Sequence, residues 1–90
     1  MDVIYKYPLK EERTEILLPE GSIPLTAQVQ LGIPVVWVRQ SRELPDNMTH
    51  RFIIVGTGQA EVGPEWEYLS TIQLNGGALI YHVFHMIYLG

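Results

Sequence analysis

His82 and His85 are the side chains best suited to metal chemistry in this chain, and their spacing works against it. They fall in an apolar, uncharged run that reads as a strand. Successive strand side chains alternate, so positions three apart point to opposite faces and cannot chelate one ion together. A zinc site would need His50 and carboxylates from elsewhere to converge, and no spacing announces that. With no cysteine there is no thiolate ligand, no thiol nucleophile and no disulfide. The carboxylates Glu11, Glu12, Glu20, Glu43, Asp46, Glu61, Glu65 and Glu67 sit mostly in loops, where a solvated face explains them. There is no Gly-x-Ser-x-Gly elbow, no His-Glu-x-x-His and no paired His-x-Thr or His-x-Ser. The expectation is a protein without catalytic residues, metal or cofactor.

Anion binding is the chemistry the remaining residues suit better. Arg39, Arg42 and Arg51 fall within thirteen residues that frame the loop between two central strands. If those strands pair, Arg39 and Arg51 come together, and two guanidinium groups can grip a phosphate or carboxylate bidentately. Glu43 and Asp46 lie in the same loop and could neutralise them. Gly56-Thr57-Gly58 follows an apolar strand, and successive backbone N–H groups in such a turn can cradle an anion. It lacks the third glycine of a dinucleotide fingerprint and the Gly-Lys-Ser/Thr of a P-loop, so a turn needing positive φ is the plainer reading. Trp37 lies within the most apolar strand and reads as core, whereas Trp66 sits in an acidic loop without an obvious core partner and offers a stacking face. The expected ligand-binding residues are therefore Arg39, Arg51, Gly56, Thr57, Gly58 and Trp66.

The elements that must position these residues are strands. Residues 25–31 alternate cleanly, with Leu25, Ala27, Val29 and Leu31 on one face and Thr26, Gln28 and Gln30 on the other. Residues 3–7, stopped at Pro8, and 14–18, stopped at Pro19, flank the charged turn Lys10-Glu11-Glu12-Arg13 and read as an opening hairpin. Gly32-Ile33-Pro34 turns into the β-branched run 35–39, and a further strand covers 51–55. Residues 59–67 form the longest loop, with one helical turn expected after Pro64. Residues 69–74 and 78–89 flank Asn75-Gly76-Gly77, a type I′ hairpin signal. About seven short strands at this spacing predict an all-β fold, a single domain over residues 1–90 built as a β-sandwich or small barrel.

Composition narrows the partners. A net charge of −4 and a pI near 5.2 argue against duplex nucleic acid. After Glu67 no formally charged residue follows, but Gln73, Asn75, Gly76 and Gly77 interrupt the run, leaving it shorter than the roughly 20 residues of a membrane span. The opening residues carry no signal-peptide pattern, which predicts a cytoplasmic protein without a membrane partner. Only 18% of residues are charged, against about 25% in an average soluble domain. That deficit, with the uncharged strand 78–89 as a hazard on any exposed edge, predicts a homo-oligomer.

Taken as a set, several blocks resemble a known family. They are Ile4-Tyr5-Lys6-Tyr7-Pro8-Leu9, Leu18-Pro19-Glu20-Gly21, Val36-Trp37, Phe52-Ile53-Ile54-Val55-Gly56-Thr57-Gly58-Gln59 and Gly77-Ala78-Leu79-Ile80-Tyr81-His82-Val83-Phe84. The chain resembles a family of small uncharacterised proteins of bacteriophages and bacterial genomes, and the resemblance covers nearly its whole length. That family has no assigned activity and carries no catalytic residue over. It implies a phage or prophage source, hence the host cytoplasm. The chain departs from the pattern by adding His85-Met86-Ile87-Tyr88-Leu89, an apolar extension suited to a subunit contact. By analogy with small phage proteins that act stoichiometrically, the expectation is a non-enzymatic antagonist of host defence that sequesters a small anionic, nucleotide-type ligand. The alternatives are direct inhibition of a host protein and a structural or virion-accessory role.

Overall fold

A computed structural model describes residues 1–59 and 62–90; Glu61, one of the loop carboxylates above, lies outside the described residues. Seven strands run in chain order: β1 (Asp2–Pro8), β2 (Arg13–Pro19), β3 (Ile23–Gln30), β4 (Ile33–Ser41), β5 (Asp46–Gly56), β6 (Glu67–Leu74) and β7 (Leu79–Tyr88). They form two antiparallel sheets, one ordered β1-β4-β3 and the other β2-β5-β7-β6. The fold is all-β, as the alternation predicts. No helix of the described residues is long and apolar enough to cross a membrane.

Burial follows the two-residue period. In β4, Val36, Val38 and Gln40 point inward, and in β5 His50 and Phe52 do so. Phe52, Leu18, Val36, Val38, Ile72, Val83, Ala27 and Leu9 make one core between the sheets. Gln40 is buried because Tyr7 donates its hydroxyl hydrogen to Gln40 Oε1 at 2.7 Å, and burial in turn raises the Tyr7 phenol above its ordinary value. Trp37 falls on the other parity, so it faces outward, half-buried, between Lys6 of β1 and Thr26 of β3. The expectation that it belongs to the core is corrected by its odd position between two inward valines.

The two sheets meet differently along their two sides. On one side the edges of β3 and β6 abut, and Ser70 Oγ accepts the Ala27 N–H at 2.8 Å while lying 3.1 Å from Thr26 Oγ1. A side chain thus satisfies backbone that a ladder would otherwise pair. On the other side β1 and β2 are outermost strands of different sheets and do not pair, which corrects the expected opening hairpin. The four-residue connection crosses between layers, with Leu9 buried beneath it and its N–H bonded to Pro34 C=O at 2.8 Å.

Three further expectations meet the geometry. The β6–β7 hairpin forms, with Asn75, Gly76 and Gly77 all at positive φ, in a four-residue connection rather than a two-residue one. The β3–β4 hairpin turns one residue earlier than expected, at Leu31 (φ 52°) and Gly32 (φ 79°). β7 lies between β5 and β6, so its uncharged length is covered within the chain and by itself requires no second subunit.

Candidate anion-binding cleft

The outward face of the four-stranded sheet is not simply solvated. Arg13 faces Ile53 across the β2–β5 ladder, and Glu15 faces Arg51. Ile53 is outward by parity yet only 6% exposed. Residues 62–66 fold back over it: Val62, Gly63 and Trp66 face Ile53 and Val55 across a cavity of about 450 Å³. A tight turn, closed by the Trp66 N–H on Gly63 C=O at 3.2 Å, presents the indole there. A second cavity of about 360 Å³ lies against the first, lined by Arg13, Thr14, Glu15, Arg51, Phe52 and Trp66. Arg13 and Trp66 belong to both, so the two read as one cleft.

Arg51 is held in place within it. Its Nε donates to Glu15 Oε2 at 2.5 Å, and its guanidinium carbon stands 3.7 Å from the Tyr88 ring centroid. Stacking and a one-sided ion pair fix the plane of the fork while leaving its terminal nitrogens without a hydrogen bond to the described residues. Arg13 makes no ion pair among the described residues. The arrangement offers guanidinium hydrogens to an anion and an indole face to a planar ring.

Of the residues expected to bind ligand, Arg51 and Trp66 are brought together. Arg39 is not among them. β4 pairs with β1 and β3, never with β5, so Arg39 lies on the outward face of the other sheet, with its Nε 3.3 Å from Asp2 Oδ2. The Gly56-Thr57-Gly58 turn sits at the end of β5, and the N–H groups of Gly56 and Thr57 are used internally. Gly56 N–H bonds Gln59 Oε1 at 2.5 Å, Thr57 N–H bonds Ile80 C=O at 3.2 Å, and Gln59 N–H returns to Gly56 C=O at 3.1 Å. Gly58 there has φ 89°, the geometry of a turn glycine. Arg13 is the residue that sequence reasoning missed. It ends a run that reads as solvated turn, and only the β2–β5 register sets it beside Trp66.

The histidines divide by face. His82 points outward, its Nε2 2.9 Å from Thr57 Oγ1 and its Nδ1 3.0 Å from Thr71 Oγ1. His85 points inward, where its Nε2 lies 2.8 Å from His50 Nδ1 and its ring is 5.0 Å from that of Phe52. Burial, with His50 adjacent, pushes His85 down to about 4, and burial lowers His50 as well. No group of three or more His, Cys, Asp or Glu side chains converges among the described residues.

A larger cavity, about 550 Å³, opens at one end of the sandwich. Leu9, Ile33, Pro34, Ile54 and Tyr81 line it, and its charged rim carries Glu11 and Glu12 against the single Lys10. That sign disfavours an anion. In the Arg13–Arg51–Trp66 cleft Glu12 and the Arg51-paired Glu15 offset the two arginines in net charge, and it is the better fit because it alone of the two presents guanidinium hydrogens beside an indole. A family model described as "Domain of unknown function (DUF7352)" matches residues 1–88. The chain belongs to the DUF7352 family. No curated protein and no solved structure matches it. The match spans all seven DUF7352 strands, so the cleft lies wholly within the family domain.

Proposed function

We propose that this DUF7352 protein is a non-enzymatic binding protein that takes a small anionic, nucleotide-type ligand into the Arg13–Arg51–Trp66 cleft. The observation that carries the reading is the convergence of two arginines and one tryptophan on the same walls. An anion replaces water on the guanidinium hydrogens while a planar ring stacks on the indole. The resemblance to small bacteriophage and prophage proteins supports placing this binding in the cytoplasm of an infected host, as stoichiometric sequestration that antagonises defence.

A thermal-shift screen of the full chain against cyclic dinucleotides and common nucleotides tests the reading. A ligand at 100 times its dissociation constant stabilises by about 2.7 kcal/mol. Calorimetric titration of the best hit against Arg13→Ala and Arg51→Ala should show losses of about 1.5–3 kcal/mol each. Arg39→Ala, on the opposite outward face, should bind as the parent does. A screen without a hit, or equal affinity in both cleft variants, would remove the proposal and leave direct inhibition of a host protein as the reading to pursue.

A further inference from the structure

The outer edge of β1 is an unpaired row of backbone groups whose identity and parity are legible. In an antiparallel ladder every second residue exchanges its bonds with the facing strand. Met1 C=O accepts from Arg42 N–H at 3.3 Å and Leu9 N–H donates to Pro34 C=O at 2.8 Å, so the odd positions of β1 face β4. Asp2, Ile4 and Lys6 therefore turn their N–H and C=O groups away from the sheet. No strand among the described residues covers them. Ile4 is 59% exposed and Tyr5 48%.

We propose that β1 is a self-complementary dimerisation edge, pairing antiparallel with β1 of a second copy about a two-fold axis at Ile4. The axis sets Ile4 against Ile4 of the partner subunit, Tyr5 against Val3 of the partner subunit, and Asp2 against Lys6 of the partner subunit, twice over. The outward groups form about six backbone hydrogen bonds, and the two exposed isoleucines cover each other. Charge complementarity names the occupant: opposite charges stand at equal distances on either side of Ile4. Asp2 keeps a second carboxylate oxygen beyond its contact with Arg39, and Lys6, bonded to Gln30 Oε1, has further ammonium hydrogens.

The other free edge lacks this property. Glu12 C=O accepts from Ile54 N–H at 2.9 Å, so β2 turns Arg13, Glu15 and Leu17 outward. The equivalent two-fold would then bring Glu15 against its own copy, and like charges directly opposite are destabilising. The isologous contact at β1 joins two three-stranded sheets and closes at a dimer. It is independent of the cleft, which lies on the other sheet.

Light scattering of the full chain at about 100 μM, within the concentration range where weak protein pairs form, should give twice the 10.3 kDa chain mass. Ile4→Pro removes an outward N–H and no bond to β4, so it should yield a monomer with its strand circular dichroism retained. Lys6→Asp should weaken the dimer at least about tenfold by setting carboxylate against carboxylate. Mixing the Asp2→Lys and Lys6→Asp variants should restore a dimer containing one of each, since every cross-strand pair is again opposite in sign. A parent protein that is monomeric at that concentration overturns the proposal, as does a dimer whose stability neither Lys6→Asp nor Ile4→Pro changes.

Discussion

His50 Nδ1 and His85 Nε2 lie 2.8 Å apart inside the sandwich, their rings stacked at 5.0 Å with planes 21° apart. One nitrogen must donate and the other accept, so at least one ring must stay neutral and the doubly protonated pair cannot make the contact. The folded state resists protonation, with His85 held near 4, whereas the unfolded chain binds protons near the ordinary value of 6.5. Below that value the unfolded state carries more protons, so stability is complete above about pH 6.5 and falls as pH drops toward 4. Because His85 is partly open to solvent, the expected loss is about 1–2 kcal/mol rather than the full linkage value. Urea midpoints measured from pH 7.5 to 4 check this, and His85→Gln, which keeps a hydrogen-bonding partner but does not titrate, should flatten the profile.

Ser70 closes the β3–β6 seam by accepting the buried Ala27 N–H. Ser70→Ala leaves that donor without a partner, and the expected destabilisation is about 1–3 kcal/mol. Thr26→Val, which touches only the hydroxyl contact to Ser70, should cost less. Chemical denaturation of both variants orders the two effects.

Leu31 occupies the first central position of the β3–β4 turn at φ 52° with its side chain 96% exposed. It adopts a left-handed conformation without any burial to offset the strain, which for a non-glycine residue is roughly 1–2 kcal/mol. Leu31→Asn creates the pair this turn type prefers and is expected to stabilise the protein by about 0.5–1.5 kcal/mol. Its thermal midpoint should rise, and an unchanged or lower midpoint would assign Leu31 a contact that the isolated chain does not show.

Trp66 forms a wall of the proposed cleft, while Trp37 lies on the outward face of the other sheet. In a Trp37→Phe variant the remaining indole emission should change on titration with any ligand the screen finds, because a ring stacked on Trp66 alters its surroundings. In a Trp66→Phe variant the same titration should leave the Trp37 emission flat.

The strands are legible from alternation, and Asn75-Gly76 supplies the positive φ values that the β6–β7 hairpin uses. The inward residues are legible only in part: the β-branched run around Trp37 reads as core throughout, yet Trp37 takes the outward parity between Val36 and Val38, and Leu25 and Leu31 end exposed. Partner choice is not legible, because a strand's own pattern does not encode which strand lies beside it. β1 and β2 are joined by a short charged turn that looks like a hairpin, yet Leu9 is drawn into the core and the chain changes layer. For the same reason Arg39 and Arg51, close in sequence, end on opposite outward faces. The pairing of Arg51 with Trp66 follows from residues 62–66 folding over Ile53, an apolar outward position whose burial shows only once the β5 register is known.

The strand order also governs how the chain reaches this state. Of the five ladders among the described residues, only β3–β4 and β6–β7 join strands adjacent in sequence, and the two hairpins belong to different sheets. Each can form early, but neither sheet is complete until a distant segment arrives, β1 at β4 in one and β5 at β7 in the other. Loop-closure entropy must be overcome before those long-range contacts stabilise anything, so refolding on the order of milliseconds to seconds is expected, slow for ninety residues. During that interval β7, the uncharged strand that the finished sheet hides between two neighbours, has only β6 beside it. Its kinetic exposure, distinct from the β1 edge of the native sandwich, is where aggregation during refolding would begin.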